Sequence, residues 1–153
     1  MAITSTFSAS SRSTQSQSST VPAVAAPVAL LGRILFSLIF LVAAPMNFSG
    51  KSIAFAASQG VPLASISVPL SGIIALAGGL SILLGYHARI GAWLIVLFLA
   101  VVTPMLHNFW AVSDPMMHQM QFIMFMKNLS MLGGALLISQ TGAGPWSLDA
   151  LRK

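Results

Sequence analysis

Four stretches of this chain are apolar for about as long as a helix must be to cross a bilayer, and that requirement settles most of what the chain can become. They run from Val28 to Met46, Leu63 to Leu84, Ile90 to Leu106 and Met120 to Ile138. A helix rises about 1.5 Å per residue, so roughly 20 apolar residues cover the ~30 Å of hydrocarbon. Inside lipid every backbone N–H and C=O must be satisfied within the spanning structure, and for single apolar runs of this length only the helix does so. Composition agrees: 56% of the 153 residues are hydrophobic and 6% are charged, where soluble domains carry about 25% charged residues. The predicted fold class is an all-α integral membrane protein, a four-helix transmembrane bundle over residues 28–139. A Ser/Thr-rich tail, residues 1–27, precedes it and a short tail, residues 140–153, follows.

The leading tail holds one cation, Arg12, and no acid, and it has too little apolar surface to offset the entropy of folding, so it is predicted to be disordered. Organelle transit peptides share this Ser-rich, acid-free composition. A secretory signal does not fit, because no apolar core precedes the PAVAAP stretch at Pro22–Pro27.

Sidedness follows from the cations. Arg12, Arg33, Arg89, Arg152 and Lys153 fall on one side, whereas the other has Lys51, offset by Asp114. The positive-inside rule then puts both termini in the cytoplasm, with Tyr86, Trp93 and Trp146 at the inner interface and Trp110 at the outer. A net charge of +5 spread so thinly forms no patch, which excludes nucleic acid as a partner. With no cysteine, the chain has no disulfide, thiolate metal site or thiol redox chemistry of its own.

Small residues at Ser71, Ala75 and Gly79 recur every four positions and predict close contact between the second helix and a neighbour. The short Tyr86–Arg89 connection makes the second and third helices antiparallel neighbours. A short interfacial helix is expected at Ile53–Ser58, before Gly60 and Pro62.

Two cations interrupt the apolar runs, and no acid accompanies them there. Lys127 lies roughly 10 Å along its segment from Met120. Helical side chains lean toward the N-terminus, so its ammonium can snorkel to the outer surface; facing inward, it needs a partner that the apolar segments do not supply. The same lean anchors Arg33 at the cytoplasmic interface. Asn47, His107, Asn108, His118, Gln119, Gln121 and Asn128 gather near the outer end, and Lys127, Asn128, His107 and Asn108 are the candidates for a head-group pocket. Histidine exchanges protons near neutral pH, which suits His107 to a quinone-like head. Met116, Met120 and Met124 share a helical face near His118; thioethers are soft Cu(I) ligands, but they are equally adaptable packing groups, and no metal is assigned.

Several runs carry a likeness: LLGRILFSLIF from Leu30, ASQGVPL from Ala57, SGIIALAGGLSILLGYHARIGAWL from Ser71, HNFW from His107, FMKNLSMLGGALLI from Phe125 and GPWSLD from Gly144. In this order they resemble the DoxX family of small four-helix membrane proteins, which has a related DoxD branch. The resemblance implies a multi-pass protein of the bacterial cytoplasmic (inner) membrane. It also implies a subunit or partner of a quinone-linked oxidoreductase, with partner redox proteins; no cofactor is assigned, and quinone is the candidate. The sequence contains no self-contained catalytic constellation. A non-enzymatic scaffold for partner proteins and a small-solute or Cu(I) transporter stand as alternatives, and self-association is left open. Many DoxX members have a glutamate where this chain has Ala75, which removes the acid that would balance Lys127.

Overall fold

The computed structural model describes residues 25–152. Its elements are α1 (Ala25–Ala43, prolonged by a 3-10 turn, Ala44–Phe48), α2 (Gly50–Ser58), α3 (Ala64–Leu84), α4 (Ala88–Leu106, followed by a 3-10 turn, Phe109–Ala111), α5 (Pro115–Thr141) and α6 (Leu148–Leu151). Four helical stretches are long and apolar enough to cross a membrane: Ala25–Phe48, Ala64–Leu84, Ala88–Ala111 and Pro115–Thr141. The expectation for the Ser/Thr-rich tail lies outside the described residues, apart from Ala25–Pro27, which open α1.

The last crossing starts well before the Met120 expected from hydropathy. The Asp114 carboxylate accepts the Met117 N–H at 2.8 Å, and Pro115 takes the first helical position, where a missing N–H removes no helical bond. Good capping therefore extends the helix through His118 and Gln119, which an apolar criterion discounts. The interfacial helix is α2, with Ser49 capping it by accepting from Ser52 N–H.

The bundle is organised around α3, which packs against α1 and its 3-10 extension, α2 and α4, while α5 packs on α4. Its bare backbone allows this. A Cβ added at Gly78 would lie 2.9 Å from the Gly91 carbonyl oxygen and from Ile95 Cδ1, and one at Gly79 would lie 3.2 Å from Phe40 Cβ. Gly78 thus admits α4, and Gly79 admits α1. Ala75 is buried as expected of the small-residue stripe, but Ser71 is only half-buried, and Gly72 takes its place against the Ala44 carbonyl. Phe40, Ala75, Ile82, Ile95, Leu99 and Ala135 form the core. Large apolar residues such as Leu31, Leu35, Leu97 and Leu137 face outward, where lipid solvates them as well as a protein core would.

The C-terminal stretch folds back onto the α3–α4 turn. Asp149 N–H donates to the Gly85 carbonyl at 2.8 Å, and its carboxylate accepts from the His87 and Ala88 N–H groups at 2.8 and 3.0 Å. The turn needs left-handed backbone at Gly85 (φ +63°) and His87 (φ +48°); glycine adopts that conformation without penalty. The start of α1 and the C-terminal stretch therefore share one end, hereafter the terminal end. Lys51 and Asp114 mark the opposite, far end.

Candidate functional site

The far end divides the residues that the sequence groups together. His107 Nδ1 and Gln121 Oε1 are 2.8 Å apart and tie α4 to α5. Asn108 precedes the 3-10 turn, and its carbonyl accepts from Ala111 N–H at 2.9 Å. Asn128 is buried in the bundle, 7% exposed. Its neighbour Lys127 is exposed on the outer surface of α5, and its Nζ donates to Met124 Sδ at 3.2 Å, one turn toward the far end. Successive helical residues are about 100° apart, so Lys127 and Asn128 point to different sides. Met116 and Met120 are also exposed, while the His118 ring stacks edge-on against Phe109, with centroids 5.6 Å apart.

A concavity that the sequence reading missed lies on the other flank of the same end. A crevice of about 530 Å³ opens between α2, α3 and α4. Phe55, Val61, Val68, Phe98, Val101 and Met105 are among its apolar walls, and Asn47, Lys51, Ser52, Ser67 and Ser71 supply its polar groups. Sequence order explains the polarity. The 3-10 turn and α2 start carry Asn47, Lys51 and Ser52, and α3 places Ser67 and Ser71 one turn apart. Asn47 Nδ2 donates to Ser71 Oγ at 3.4 Å, and Ser71 Oγ donates to the Val68 carbonyl at 2.7 Å. In the sequence NFSGKS reads as a turn, and nothing local shows that α2 folds back to wall a cavity.

The terminal end is a polar lock. Partial burial alone would raise the Asp149 carboxyl; the N–H groups of Ala88 and His87, helped by the charges of His87 and Arg152, outweigh that and hold it below the usual carboxylate range. Arg152 stacks over Tyr86, 5.3 Å from the ring centroid, with its Nη1 3.2 Å from His87 Nε2. Arg33 is not an exposed anchor at the interface. It is 4% exposed, and its Nη2 donates to the Trp146 carbonyl at 2.6 Å. Its side chain leans toward the terminal end as expected, but the returning C-terminal stretch covers it, a long-range contact that its own helix cannot announce.

Four crossings, a capped polar lock and a laterally open crevice define a multi-pass helical membrane protein. A model of the SURF4 family matches residues 6–153, and the chain belongs to that family. The inner membrane protein YqjF of Escherichia coli (strain K12) is 33% identical over 128 residues, spanning 80% of this chain and 89% of YqjF. YphA, an inner membrane protein of the same organism, is 30% identical over 129 residues, spanning 82% and 91%. The ER-derived vesicles protein ERV29 of Saccharomyces cerevisiae is 28% identical over 81 residues, spanning 53% of this chain and 26% of ERV29. No solved structure matches the chain. With the two inner-membrane relatives and four crossings, the protein is a multi-pass protein of the inner membrane.

The family assignment overturns the DoxX resemblance. With it go the quinone-linked redox subunit and its partner redox proteins. The runs that carried the likeness are small residues spaced along apolar helices, and helix packing demands these of many membrane bundles. They convey bundle architecture, and Ala75 stands in for no missing acid.

Proposed function

We propose that this protein is a non-enzymatic binding protein of the bilayer, and that its crevice holds a single-chain amphiphile with an anionic head. The observation that carries this is the division of the lining: Phe55, Val68, Phe98 and Val101 offer an apolar wall, and Lys51 with Asn47, Ser52 and Ser71 offers a cation and hydrogen-bonding groups at the far end. The volume, about 530 Å³, falls within the ~300–1,000 Å³ typical of small-ligand sites. A partner of this shape enters sideways from lipid, chain first, and leaves its head at Lys51. The relatives support a role within the membrane body, since likeness extends from inner membrane proteins to a protein of ER-derived vesicles. We place the terminal end, with Arg33, Arg89 and Arg152, in the cytoplasm, and the far end with Lys51 outside.

The test is titration of the purified chain with a fluorescent fatty-acid probe. Binding saturates in the native chain. It weakens about fivefold in Lys51→Gln, as expected for loss of one interfacial cation, and it disappears in Val101→Trp, which fills the cavity from an exposed position. Equal binding in all three chains would refute the assignment. Because the chain has no cysteine, Ser113→Cys labelled from outside intact cells tests the orientation; protection from the reagent would reverse it.

A further inference from the structure

Arg33 carries more hydrogen-bonding capacity than the protein uses. Nη2 has the Trp146 carbonyl, but Nε and Nη1 are buried without any hydrogen-bond partner among the described residues, and so is Ser37 Oγ, one turn further along α1. Nearly all buried donors in folded proteins are satisfied; the charge of Asp149 acts on this guanidinium through space but neither Nε nor Nη1 has an acceptor, and enclosed donors of a cation left without acceptors are costly. The Asp149 carboxylate is occupied by the start of α4. The end of α3, close enough that a Cβ on Gly85 would collide with Arg33 Nη1, supplies only the partial negative charge of a helix C-terminus.

Beside this guanidinium is a second concavity, of about 430 Å³, on the lipid-facing side between α1, the end of α3 and the returning C-terminal stretch. Leu30, Leu83, Leu84 and Leu151 line it together with Arg33 and Trp146. Its depth suits a lipid head. Arg33 is eight residues into α1, roughly 12 Å at about 1.5 Å per residue, and leans back toward the terminal end, where head groups begin.

We infer that this notch binds an anionic phospholipid of the leaflet on the terminal side, its phosphodiester oxygens accepting from Arg33 Nε and Nη1 and its acyl chain lying along Leu30, Leu83 and Leu84. A planar guanidinium matches phosphate better than an ammonium does. The phosphate approaches those nitrogens when the Trp146 indole, 64% exposed, swings aside, while the Trp146 carbonyl keeps its bond to Nη2. The site is separate from the crevice at the far end and does not depend on it.

The experiment is native mass spectrometry of the full, delipidated chain titrated with phosphatidylglycerol, with inorganic phosphate as a parallel arm. One lipid binds the native chain. Arg33→Gln weakens binding about tenfold, the usual scale for a lost charge-assisted hydrogen bond, Arg33→Lys restores only part of it, and Lys51→Gln leaves it unchanged. Leu84→Trp, which fills the notch from an exposed position and keeps the guanidinium, also abolishes binding, so the test survives if Arg33→Gln misfolds. Unchanged lipid affinity in Leu84→Trp, or inorganic phosphate that displaces the lipid at equal concentration, would overturn the inference. A loss seen in Lys51→Gln alone would assign the lipid to the far-end crevice instead.

Discussion

Removing the Asp149 carboxylate tests whether the C-terminal stretch holds the bundle together or merely rests on it. In the fold, His87 precedes α4 without a side-chain cap, and Asp149, 62 residues away along the chain, caps the helix instead through bonds of 2.8 and 3.0 Å. Asp149→Ala leaves two N–H groups at a helix start without acceptors. The site is at the interface, where water replaces part of what is lost, so the cost falls in the range of a lost N-cap, about 1–2 kcal/mol. At roughly 2–4 °C per kcal/mol for a chain of this size, the midpoint falls by about 2–8 °C. Asp149→Asn keeps one acceptor oxygen and loses the charge, so it falls between. The pH dependence has a definite sign. The folded-state carboxyl is held below its ordinary value, so its contribution is complete above the ordinary aspartate range and is lost as pH falls through the folded-state value. Native and Ala chains therefore differ by a constant amount at neutral pH and converge in acid. Thermal unfolding in mild detergent, followed by tryptophan fluorescence at two pH values, measures both. A midpoint for Asp149→Ala within 1 °C of native at neutral pH, or a gap that widens in acid, would refute the lock.

Two further substitutions test the packing and the outward lysine. Gly78→Leu inserts a side chain where even a Cβ meets the Gly91 carbonyl at 2.9 Å; α3 and α4 must separate, costing about 1–3 kcal/mol or more, visible as a lowered midpoint, and an unchanged midpoint would contradict the close crossing. Lys127→Leu replaces an exposed cation on the lipid face and should leave the midpoint within about 0.5 kcal/mol of native or raise it; a marked loss of stability would show that Lys127 has an inward partner.

The crossings are legible in the sequence because lipid leaves an apolar run few choices, and the antiparallel α3–α4 pair follows from a connection too short for anything else. Glycine positions announce close contact, although sequence spacing selects Ser71 where the backbone contact is made at Gly72. What stays hidden depends on residues far apart in the chain. Arg33 reads as an interfacial anchor until residues 144–149 fold over it, and Asp149 reads as one acid in a polar tail until it caps a helix that begins at Ala88. Lys127 attracts attention in the sequence because it is charged, yet the rotation of α5 that buries Asn128 turns it toward lipid. The crevice leaves no local mark, since its walls come from three helices and its polar groups resemble an ordinary turn. The family assignment was obscured for a related reason: small-residue spacing records packing geometry, and many helical bundles share it.

On the proposed function, the crevice between α2, α3 and α4 is occupied by an amphiphile in the membrane. A photo-crosslinking amino acid placed at Phe55, an exposed position on the crevice wall, tests it most directly when the chain is irradiated in native membranes and the adducts are analysed by mass spectrometry. An amphiphile in the crevice gives one dominant adduct, an anionic single-chain molecule, diminished by Lys51→Gln and absent when the crosslinker is moved to Leu137, exposed on α5. Adducts that match bulk lipid equally at both positions would contradict it.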